Sequence, residues 1–191
     1  MRWVLRVLVG LLVLPSCDGA DDEVVAPERT TSSAPGAGTM PVRGGCRSPE
    51  PTSDAESAIV FVYFFCGHPT PPDEPVALPR SVPKTANLVR AALGELLKGP
   101  TEAERQSGFF SAFSARSADV LTGVVVQSDG TTVVDFDEGF ERINNVSATA
   151  QVYPTFRSLD DTLHQFPEVK TINYRIEGSD ERWCRLFEGG C

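Results

Sequence analysis

The sequence predicts an α+β fold: a single domain with the order strand-helix-strand-strand-helix-strand and two helices packed on one face of a small sheet. Three observations predict it. The apolar run "AIVFVYFFC" at residues 58–66 has the length and composition of a strand. Residues 85–98 and 146–165 repeat apolar side chains at spacings of three and four, as helices with one buried face do. Two valine-rich runs flank Ser128-Asp129-Gly130, the arrangement of a hairpin.

Each element follows from its residues. In the first strand Ile59, Phe61, Tyr63 and Phe65 lie on one side and Val60, Val62 and Phe64 on the other, so both faces are apolar and a central position is expected. Residues 67–83 then carry six prolines, which disfavour helix and interior strand and predict a long exposed connection. In 85–98, Leu88, Ala92 and Leu96 with Val89, Leu93 and Leu97 form one helical stripe, stopped by Gly99-Pro100. Residues 120–127 and 131–136 are the hairpin strands. Over 146–165 the stripe is Val152, Phe156, Leu159 and Leu163, continued to Phe166, and Pro167 ends it. Residues 169–177 alternate Ile172, Tyr174 and Ile176 with polar neighbours, as a strand with one buried face does. No internal repeat is present.

Ahead of this domain the chain divides twice. Residues 1–16 place Arg2 and Arg6 before the apolar run 7–14, the layout of a signal peptide. The run is shorter than the ~20 apolar residues that span a bilayer, and Asp18, Asp21, Asp22 and Glu23 close it. Leu14-Pro15-Ser16-Cys17 stands where a bacterial lipobox stands and resembles Leu-Ala-Gly-Cys, so Cys17 is the expected lipid attachment and the rest of the chain is expected outside the cytoplasm. Residues 17–57 are rich in Asp, Glu, Pro, Ser, Thr and Gly, too poor in apolar side chains to offset the entropy of ordering. They read as a tether with a reach of ~35 Å. Residues 58–191 are the domain with a cysteine-containing tail.

Composition narrows the partners. The formal charge of −9 becomes −11 once the leader takes Arg2 and Arg6 away. Such a chain lacks the basic footprint of a nucleic-acid binder and is repelled by anionic head groups, so lipid rather than charge is expected to hold it at the membrane. With Cys17 lipidated, Cys46, Cys66, Cys184 and Cys191 remain as disulfide candidates with three pairings open. A Cys184–Cys191 ring would contribute ~2.5 kcal/mol and a Cys66–Cys184 link roughly 5 kcal/mol on chain entropy alone.

Catalytic and metal chemistry find little support. His68 and His164 are the only histidines; Asp160 could orient His164, but no G-x-S-x-G elbow supplies a nucleophile. Cys66, His68, Cys184 and Cys191 could be drawn as a zinc site, yet an oxidising compartment favours disulfides and no C-x2-C knuckle is present. Asp135, Asp137 and Glu138 in "DFDEGF" lack calcium-loop spacing. Asn145-Val146-Ser147 matches a glycosylation acceptor by pattern alone. No catalytic residue, metal or cofactor is expected.

Three stretches resemble the GerMN domain, the sporulation and spore germination domain: "ALGELLKGPTEAERQSGFFSAF" from Ala92, "VVVQSDGTTVVDFDEGF" from Val124 and "TLHQFPEVKTINYRIEG" from Thr162. The likeness covers about residues 58 to 180. It implies a strand-helix-strand-strand-helix-strand fold similar to ring-building motifs of secretion assemblies, on a secreted or lipid-anchored bacterial envelope protein. It also implies a non-catalytic interaction module that binds an envelope protein or a second copy of itself. The alternative expectation is an extracytoplasmic binding domain for a cell-wall or small-molecule ligand, rimmed by the proline-rich stretch from Gly67 to Pro83 and by Phe109, Phe110 and Phe113.

Overall fold

The alternation in the apolar run decides where the core lies. The computed structural model describes residues 46–50, 52, 54–67, 74–84, 87–143 and 145–187, all within one compact unit. The leader, Cys17, most of the tether, His68 and Cys191 lie outside the described residues. Strand β1 (Ser57–Cys66) turns Val60, Val62 and Phe64 into the core, where each is 1% exposed or less.

The proline-rich stretch is not solely a connection. Its second half is strand β2 (Val76–Pro83), antiparallel to β1 with Phe61 opposite Pro79 and Ser57 opposite Pro83. The physical reason lies in the register. Phe61 and Tyr63 send their backbone N–H groups away from β2, to side chains described below. Val60, Val62 and Phe64 therefore face β2, bonding to Arg80, Leu78 and Val76. Ala77, Pro79, Ser81 and Pro83 point outward, so both prolines occupy positions where no ladder hydrogen bond is asked of them.

Helix α1 (Leu88–Leu97) starts at Asn87, whose side chain accepts from the Arg90 N–H at 2.8 Å, and buries Val89, Ala92, Leu93, Leu96 and Leu97. It ends at Gly99, held at φ +73° with its Cα against the Phe113 carbonyl; a Cβ there would lie 2.3 Å from that oxygen. A short helix α2 (Glu102–Gln106), opened by a Thr101/Glu104 capping box, and a two-residue strand β3 (Phe109–Phe110) pairing with the end of β1 follow. The hairpin forms as expected, β4 (Leu121–Val126) against β5 (Thr131–Phe136). Helix α3 (Thr149–His164) leads to β6 (Thr171–Ile176), which runs parallel to β5.

The fold is thus α+β, and its strands divide into two three-stranded sheets, β2-β1-β3 and β4-β5-β6. The cysteine-containing tail is also more than a tail. Helix α4 (Asp180–Leu186) carries Trp183 into a cluster of rings with Phe136, Phe140, Phe156 and Tyr174, and Phe187 follows it inward. Trp183 and Phe187 are 3% and 5% exposed, so the C-terminal segment closes the core.

The cysteine pairing is settled for two of the candidates. Cys46, fully buried, is joined to Cys66 at the end of β1, so Cys66 is not available to Cys184. This staples the segment ahead of β1 to the far end of that strand. Cys184 is also in a disulfide.

Candidate functional site

The outward face of β1 carries side chains that soluble domains ordinarily bury. Of the row Ile59, Phe61, Tyr63 and Phe65, only Phe65 is covered; Phe61 is 36% exposed, and Ile59 and Tyr63 are half-buried. β1 is the central strand of its sheet, as its two apolar faces predict, but its outer row stays partly open because both described helices that pack on β1 leave most of that face uncovered. α1 packs on its inner face, with Ala92 against Val60 and Val82, and α3 lies along its edge. Register places Ala77 beside Tyr63 and Pro79 beside Phe61, extending the apolar strip onto β2. Tyr153 of α3, 45% exposed, stands at one end with its ring 6.0 Å from that of Phe65.

Charge borders this strip rather than crossing it. Arg157 bridges Glu74 at 3.0 Å and Asp161 at 3.1 Å. Burial, and then the Asp161 charge, push the Tyr63 phenol above its usual range. The Asp161 carboxyl is itself raised, mainly by burial, with Arg157 opposing. An apolar centre with a charged rim is the anatomy of a protein-binding patch.

The edges of the same sheet are closed. The Gln165 amide meets Phe61 in both directions, accepting its N–H at 2.8 Å and donating to its carbonyl at 2.7 Å, while Thr162 Oγ1 accepts the Tyr63 N–H at 3.3 Å. On the other edge, Pro79 and Pro83 lack the N–H groups that a docking strand would need. Ser48, just beyond the disulfide, donates to the Ala77 carbonyl at 2.9 Å. Strand addition to this sheet is disfavoured on both sides, and its open face is what remains.

Other residues singled out by sequence take structural roles. Asp160 accepts from the Tyr174 hydroxyl at 2.8 Å rather than orienting His164, which sits exposed at the end of α3. Asp135 accepts the Gly178 N–H, Asp137 the Gly139 N–H, and Glu138 pairs with Arg142. No three His, Cys, Asp or Glu side chains among the described residues gather as a metal-holding group. Phe109, Phe110 and Phe113 do come together on a cleft of about 1130 Å³, but its lining does not include the described part of the proline-rich stretch, which is engaged in β2.

This architecture has known counterparts. A family model described as sporulation and spore germination matches residues 61–182, well over half of the chain. The chain belongs to that family. Among solved structures, the family fold is shared with the tandem GerMN domains of the sporulation protein GerM from Bacillus subtilis, at 19% identity and a TM-score of 0.52. The match covers 70% of this chain and 44% of that one. The family member described here thus spans less than half the length of that tandem structure. The first GerMN domain of the same protein matches at 24% identity and a TM-score of 0.45, over 63% of this chain and 84% of that one. A comparison with curated proteins returns no match.

Proposed function

We propose that this chain is a lipid-anchored envelope protein whose domain docks another envelope protein through the open face of β1 and β2. The observation that carries this reading is the pairing of an exposed apolar strip, centred on Phe61, with sheet edges closed to strand addition. The leader and Cys17 support the anchor, since two or three acyl chains at ~0.8 kcal/mol per buried methylene hold a protein stably. The occupant is a different protein, because two copies of the anchored chain, each with a formal charge of −11 once the leader is gone, repel each other.

The test places a photo-crosslinking residue at Tyr153 in living cells and identifies the adduct by mass spectrometry. One recurrent envelope protein is expected, lost with Phe61→Asp and with Cys17→Ala, while a probe at Val125 on the other sheet does not capture it. An adduct indifferent to Phe61→Asp refutes the face; an adduct of the chain with itself replaces the foreign partner by a homodimer.

A further inference from the structure

The cleft beside β3 has a composition unlike the rest of this acidic chain. Arg105 enters from α2, Arg116 from the turn Ala115–Ser117 and Arg142 from the turn Phe140–Arg142, against Asp119 and Asp137 on the same walls. Asp137 is already engaged by the Gly139 N–H at 2.7 Å. Arg105 and Arg142 hold exposed carboxylates, Glu102 and Glu138, which a ligand can replace without leaving a charge buried. Arg116 makes no ion pair among the described residues, and it is exposed.

The apolar part of the wall is built from Phe110 and the buried Phe113, on the two sides of the sharp turn after β3. Gln151, on α3, also lines the cleft, and its side-chain oxygen is buried without a hydrogen-bond partner. A buried amide end with no partner is a group waiting for one, and a half-turn of the amide presents its N–H groups instead. Guanidinium forks, a polar amide and aromatic walls in one concavity are the elements that recognise a planar anion on an apolar body.

We propose that this cleft is a binding site, separate from the β1–β2 face, for a small ligand bearing a carboxylate on an aromatic or similarly flat apolar group. Arg116 and Arg142 take the carboxylate, Phe110 and Phe113 flank the apolar body, and the Gln151 amide completes the polar contact. In a chain of net negative charge, such a pocket also concentrates anions that the remaining surface turns away.

The test uses 4-fluorobenzoate as the probe, with ¹⁹F line broadening measured on the full chain in detergent. Saturable binding with a Kd of about 1 mM is expected for a fragment of this size. The doubly substituted Arg116→Gln/Arg142→Gln chain binds about tenfold more weakly or worse, as loss of charge-assisted hydrogen bonds requires. Both side chains are exposed, so that variant folds; an unchanged thermal midpoint verifies it. Neutral 4-fluorobenzamide binds about tenfold more weakly, and inorganic phosphate displaces the probe only at well above the benzoate Kd. No saturable binding, equal binding by the double variant, or equal binding of benzamide overturns the proposal. Phosphate that competes as well as benzoate itself overturns the aromatic half of the site. Phe61→Asp leaves the benzoate affinity unchanged, which separates this site from the docking face.

Discussion

The side-chain amide of Gln165 pairs with the backbone of Phe61 as a neighbouring strand would, taking its N–H at 2.8 Å and giving an N–H to its carbonyl at 2.7 Å. The two residues are 104 positions apart. One side chain thereby fills the place of a strand that the sheet does not have. Gln165→Ala is expected to lose about 1–2 kcal/mol of stability, two hydrogen bonds of ordinary net value. Hydrogen exchange at the Phe61 amide should accelerate while that of Val62, bonded to β2, does not. Unchanged exchange at Phe61 would show that the amide does not close the edge.

Arg80 and Glu104 form a two-pronged ion pair at 2.8 and 2.7 Å, with side chains only 13% and 11% exposed. Glu104 also accepts the Thr101 N–H at 2.7 Å, so one carboxylate ties β2 to the start of α2. Removing it strands a guanidinium above the Phe64 ring. Glu104→Ala is expected to destabilise by about 3–5 kcal/mol, and Arg80→Leu added to it should recover part of that loss. Urea denaturation of the two variants reads both values.

Tyr174 is buried and donates to Asp160 at 2.8 Å, and burial followed by the Asp160 charge pushes its phenol well above the ordinary range. Because the folded pKa is raised, the folded state holds this proton more tightly than the unfolded chain does. The stabilisation is full below the unfolded value of about 10 and is lost as pH climbs from there toward the folded value. Stability should therefore fall above pH about 10, and Tyr174→Phe should remove that part of the alkaline loss. At neutral pH the same variant should cost about 1.5–3 kcal/mol, the value of a hydrogen bond to a charged group. Denaturation curves at several pH values distinguish the two effects.

Cys46 and Cys66 close a loop with a sequence separation of 20. Chain entropy assigns this link about 3 kcal/mol. Cys46→Ala is expected to lose that amount and to free the segment around Ser48, whose hydroxyl then leaves the Ala77 carbonyl. Faster proteolysis between residues 46 and 56, with the rest of the domain resistant, would report the release.

The hairpin around Asp129-Gly130, the two amphipathic helices and the strands 57–66 and 171–176 were legible because each is written in local periodicity or turn chemistry. β2 was not, because a proline count does not reveal which way each missing N–H faces; only pairing with β1 shows Pro79 and Pro83 on the outer side. The ring cluster around Trp183 was equally hidden, since α4 spans only Asp180–Leu186, too few residues for its own stripe to declare it.

Sequence alone determined the class of fold and the order of its principal elements, both properties of neighbouring residues. Tertiary structure decided which row of β1 stays uncovered, which cysteine meets Cys66 and which side chain closes the sheet edge. These depend on distances between segments far apart in the chain, and packing sets those distances.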